Sequence, residues 1–86
     1  MIVTPVDPRD QKWEGDSPGF RVCFWERLGQ GGYRSDEYEI RGSDVVEVLR
    51  WAEEAKGERS FTVYLCVIDE AGLGVVLLAG TDPTVS

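Results

Sequence analysis

SFTVYLCVIDEAGLGVVLLAG, residues 60–80, contains two apolar runs separated by the polar turn Asp69-Glu70-Ala71-Gly72. A half-buried strand alternates apolar with polar residues, and this stretch does not. Phe61, Val63, Leu65 and Val67 occupy one parity, while Tyr64, Cys66 and Ile68 occupy the other. Strands with this pattern want cover on both faces. At 86 residues the chain is a single domain spanning 1–86, with little material for two covering layers. The face carrying Tyr64, Cys66 and Ile68 is therefore expected to be covered by the N-terminal segment or by a second copy of the chain.

The segment before this hairpin supplies one layer of cover. Val45, Val48, Leu49, Ala52 and Ala55 recur at helical spacing and predict one helix from Asp44 to about Lys56. Ser43 is a possible N-cap, and Asp44 with Glu47 a capping-box variant. Lys56 suits the negative end of the helix and Gly57 its termination. Trp51 lies beside the apolar stripe, where packing along the helix–sheet boundary is the plain reading.

Further upstream, residues 20–28 and 33–41 read as a second hairpin around Gly29-Gln30-Gly31-Gly32. Charge selects its register. Setting Arg27 against Tyr33 places Arg21 opposite Glu39 and Glu26 opposite Arg34, with Val22 facing Tyr38 and Phe20 facing Ile40. A slip of two puts Arg21 against Arg41 and Glu26 against Asp36, and like charges directly opposite each other are destabilising. The first register leaves a three-residue loop, Gly29 to Gly31, whose geometry calls for a glycine at positive φ. Ile2-Val3 suggests a short edge strand stopped by Pro5 and Pro8. Residues 1–19 are otherwise loop-rich, with Trp13 their one large aromatic, and 82–86 form a tail. The expected fold is a small α+β domain of ββαββ order. It has an antiparallel sheet of four to five strands and one helix packed on one face.

Composition narrows the function classes. Sixteen acidic against nine basic residues give a net charge of −7, distributed along the chain. Such a field repels phosphate backbones and anionic membranes, so neither direct nucleic-acid binding nor membrane binding is expected. No apolar run is long enough to span a bilayer and no signal peptide is visible, which makes the cytoplasm the default location. Histidine is absent, which removes the usual general base and the commonest metal ligand. Cys23 and Cys66 lack metal-ligand or redox spacing and read as small buried hydrophobes, bridged only if their strands are neighbours.

Neither glycine cluster, 29–32 or 72–74, precedes a helix or carries the tail of a phosphate-binding loop. Asp36, Glu37 and Glu39 suggest a salt-bridged strand face before they suggest a cation site. No catalytic, cofactor or metal residues are assigned, and an enzyme is not expected. The leading reading is a non-catalytic acidic protein–protein interaction module: a regulator, inhibitor or immunity-type protein, homodimeric, with a partner of basic surface. Its candidate interaction surface is Trp25, Arg27, Tyr33, Glu37 and Glu39, since Trp, Tyr and Arg dominate interface hot spots. Tyr64, Cys66 and Ile68 form the candidate dimer or covered face. Two alternatives are a small-ligand binder, with its site at the sheet face or dimer interface, and a weak carboxylate-based hydrolase.

Overall fold

The computed structural model describes residues 1–6, 19–69 and 72–83. Most of the N-terminal loop, with Trp13, lies outside this set, as do the end of the tail and the side chain of Ile68. Five strands and one helix follow in the order β1 (Ile2–Val6), β2 (Gly19–Arg27), β3 (Tyr33–Arg41), α1 (Val45–Ala55), β4 (Ser60–Asp69) and β5 (Gly72–Ala79). They form an antiparallel sheet ordered β1-β3-β2-β4-β5. The fold is α+β, with β-β-β-α-β-β order.

The register of β2 against β3 is the one that charge selects. Arg27 faces Tyr33, Glu26 faces Arg34, Arg21 faces Glu39, Val22 faces Tyr38 and Phe20 faces Ile40. Arg34 Nη2 lies 2.6 Å from Glu26 Oε2. The turn closes as expected: Leu28 N donates to Gly32 O at 3.2 Å and Gly31 N to Leu28 O at 3.1 Å. Gly31 takes φ +89°, so the loop is three residues long with glycine where the backbone turns left-handed.

Helix α1 is capped by Asp44, not Ser43. The Asp44 carboxylate accepts from Glu47 N at 2.9 Å, satisfying one of the free amides of the first turn. At the other end Gly57 takes φ +61° beyond the Lys56 cap. The helix lies over the centre of the sheet. Val48 and Ala52 are buried against Phe20, Val22, Phe24, Ile40 and Val63, with Leu49, Trp51, Tyr38, Phe61 and Leu65 packed around them. Trp51 sits edge-on to both Phe24 and Tyr38, with ring centroids 5.5 and 5.7 Å apart. That is the boundary packing expected of it.

One expectation is corrected. Strand β1 does not stop before Pro5 but runs through it to Val6, pairing Pro5 with Tyr38. The strand sits at the sheet edge, where a residue without an N–H can face away from the ladder. The 60–80 hairpin is covered unevenly within the chain. Its first strand is covered, since Val63 and Cys66 are buried and Phe61, Leu65, Tyr64 and Val67 are partly so. Its second strand is not covered. Val75, Val76, Leu77 and Leu78 are 56, 48, 48 and 42% exposed, on both faces of the sheet. An eleven-residue helix centred over β2 does not reach the edge strand.

Candidate functional site

Strand alternation assigns the side chains to two faces. The helix face holds Phe20, Val22 and Phe24 of β2. The opposite, open face holds Arg21, Cys23, Trp25 and Arg27, set against Glu39, Glu37, Ser35 and Tyr33 of β3. Tyr64, Thr62 and Ser60 of β4 flank them, opposite Arg21, Cys23 and Trp25. The fold thus brings Trp25, Arg27, Tyr33, Glu37 and Glu39 onto one face, and Tyr64 and Cys66 onto the same face.

Their environments divide them. Trp25 is half-buried, and its indole Nε1 donates to Thr62 Oγ1 at 3.1 Å. Glu37 and Glu39 have side chains only 16% exposed, and each meets a guanidinium. Arg21 Nη1 lies 3.9 Å from Glu37 Oε2, so its pairing is with the diagonal neighbour on β3, while Arg41 Nε bonds Glu39. Arg27 and Tyr33 are exposed at the hairpin end. Of the five residues read as an interaction surface, two are presented to solvent and three are engaged within the sheet.

Thr62 is fully buried, and Cys23 and Cys66 are each 4% exposed. Both thiols are free, although their strands are neighbours. Cys23 faces Thr62 while Cys66 faces Gly19, an offset of four residues, or about 13 Å at ~3.3 Å per residue. A disulfide needs Cα atoms within about 7 Å. Burial pushes the Cys23 thiol up to about 12, assisted by the Glu37 charge and by the hydrogen bond the thiol donates to that carboxylate. Burial likewise raises Cys66.

A thiol whose pKa is higher folded than unfolded leaves stability unchanged below the ordinary value of 9.0. Above it the unfolded chain ionises first, so stability falls as pH climbs from about 9 toward 12. The folded protein is expected to resist alkylation by iodoacetamide at pH 8, both thiols reacting only when urea is added. Ready modification of the native chain, read by intact mass, would contradict this packing.

A separate concavity opens on the helix face. Phe20, Gly42, Ser43, Asp44, Val45, Leu65 and Leu78 line a groove of about 600 Å³ between the start of α1 and strands β4 and β5. Its walls are mostly apolar, and the Ser43 hydroxyl is buried without a hydrogen-bond partner. Glu37 and Glu39 project from the other face, so the groove has Asp44 alone as a carboxylate, and that group caps the helix.

The third feature is the β5 edge. Among the described residues β5 pairs only with β4, leaving its outer row of amides and carbonyls unpaired. No ionisable side chain occurs from Ala71 to Thr81. Charge and proline, the usual guards of a free edge, are missing from this strand.

No family model, curated protein or solved structure matches the chain. Fold and side chains are therefore what bears on function. Among the described residues no group of three or more Cys, Asp or Glu is placed to hold a metal ion. No helix among them is long and apolar enough to cross a membrane. Alternate residues from Val75 to Ala79 read in the sequence as continuing the Tyr64–Cys66–Ile68 strip; exposure on both faces of β5 was not anticipated, although an uncharged, proline-free apolar run marks it. Thr62 was missed as well, and nothing in the pattern marks it as the acceptor for Trp25.

Proposed function

We propose that the chain is a non-catalytic protein-interaction module that binds through its β5 edge. One observation carries the reading: a strand apolar on both faces, free of charge, exposed, and unpaired along its outer side among the described residues. An exposed apolar edge of this length is a template for another strand, and strand addition is a recurrent mode of protein recognition. The two carboxylates of the candidate surface and both thiols are otherwise occupied. Glu37 and Glu39 neutralise arginines, and both thiols are buried and pushed toward the protonated form. The net charge of −7 suits a regulator, inhibitor or immunity-type protein that meets a basic surface.

Tagged wild-type chain, sized alone and after incubation with lysate, is expected to run as a species heavier than one copy. Val75→Lys should abolish that species while leaving the circular dichroism unchanged. Wild-type chain that stays at the mass of one copy in both conditions, retaining no protein, would refute the reading.

A small-ligand binder is the second reading, favoured by the groove and its unpartnered Ser43 hydroxyl. A thermal-shift panel of small apolar alcohols and amides tests it. Stabilisation that Leu78→Trp abolishes supports it, and a flat response from the wild type removes it.

A further inference from the structure

The interaction reading leaves the occupant of the β5 edge open, and on that reading we infer that the occupant is a second copy of this chain. Two β5 strands pair antiparallel about a two-fold axis perpendicular to the sheet, joining the five strands of each copy into one sheet. Charge supplies the first reason. Each copy carries −7, so two copies meet with the least local repulsion along a strip that holds no charge. The β5 strand is such a strip, since ionisable side chains are missing from Ala71 to Thr81. A partner drawn by opposite charge would instead settle on the acidic faces.

Symmetry supplies the second reason. A two-fold axis normal to the sheet keeps each face with its own kind, so only residues of the same face come opposite one another. Val75 and Leu77 follow the open face, where they pair with Cys66 and Tyr64, and Val76 follows the helix face with Leu65. Apolar side chains therefore meet their own kind on the open face, and no charged side chain comes opposite another on either side of the joined sheet. The ladder between β4 and β5 is regular from Gly72 to Leu77 and irregular where Leu78 is inserted before Ala79. Centring the axis on Val75 uses the regular part: Val75 meets its own copy, and Gly74 meets Val76.

Area supplies the third. The four exposed side chains from Val75 to Leu78 present on the order of 300 Å² per copy. Two copies thus bury several hundred Å² of apolar surface, the size of a weak, reversible interface. Leu78 lines the groove, so pairing brings the two grooves toward a common axis on the helix face.

Sedimentation and light scattering of the purified full chain test the inference, with salt as the discriminating variable. The wild type should be dimeric, and more tightly so as salt screens the two acidic copies; association by opposite charge would weaken instead. Val75→Lys replaces an apolar contact with two like charges across the axis and should weaken dimerisation roughly a hundredfold. Opposed residues of an antiparallel pair lie about 4.5–5.5 Å apart at Cα, so Val75→Cys should cross-link to its own copy under mild oxidation. A wild type that stays monomeric at its highest soluble concentration overturns the inference. If that monomer captures another protein in a Val75-dependent way, the interaction reading stands without it. A dimer indifferent to Val75→Lys, with no cross-link from Val75→Cys, overturns the placement on β5.

Discussion

Phe24→Ala is expected to cost about 4 kcal/mol of folding stability, near the middle of the range for emptying a buried phenylalanine site. Phe24 is 1% exposed at the centre of the middle strand. Its ring stands edge-on to Tyr38, Trp51 and Phe61, at 5.8, 5.5 and 6.5 Å between centroids. Such aromatic pairs add about 0.5–1.5 kcal/mol each beyond the area they bury. The Arg59 guanidinium lies 4.6 Å from the ring centroid and donates to the carbonyls of Ala55 and Lys56 and to Asp36. Removing the ring therefore empties the core and also takes the floor from the cation that ties the end of α1 to β3. Domains of this size hold about 5–15 kcal/mol in total, so the variant should lose at least about 15 °C in Tm. Urea denaturation checks it. A loss under about 1 kcal/mol would mean that helix and sheet do not meet at Phe24.

Gly80→Ala comes next, at about 3 kcal/mol, for a backbone reason. Gly80 follows β5 at φ +86°, a conformation costing an L-residue about 1–2 kcal/mol. A Cβ there would lie 2.2 Å from the carbonyl oxygen of Phe61 and 3.1 Å from Thr62 Cα. Both obstacles are main chain of β4, which cannot rotate aside as a side chain does. Overpacking of this kind adds about 1–3 kcal/mol. Gly42→Ala is the control, because Gly42 also has positive φ, +76°, but open space around it. Its substitution should cost only about 1 kcal/mol, and the difference between the two Tm values measures the close approach of Gly80 to β4.

The sequence carried its information unevenly, for reasons visible in particular residues. The β2–β3 register was legible because Arg21, Glu26, Arg34 and Glu39 make one alignment attractive and its neighbour repulsive. The helix was legible from its stripe and from Asp44, whose side chain does what the capping pattern implies. Less accessible was the diagonal choice of Arg21 for Glu37, because pairing rules name the residue opposite and long side chains reach past it. Arg59 was not anticipated at all. Its role depends on β3 and α1 arriving together, which no local pattern records. The even apolar pattern of residues 60–80 was read as a demand for cover on both faces, and the helix supplies it on one face of the first strand. Periodicity reports which side chains are apolar, and the position of a strand in the sheet decides how much cover it receives.

Pro5 on β1 bears on how large an assembly can become. A sheet with two receptive edges can add copies at both ends and grow into a ribbon without limit. Here one edge strand is five residues long and has a proline in place of an amide donor, so it is a poor acceptor of another strand. Growth through β5 alone uses up the free edge of each copy in the first encounter and leaves a blunted edge at either end. On the proposed pairing, growth would stop at two copies, held out of fibres by a residue on the side of the sheet farthest from the contact.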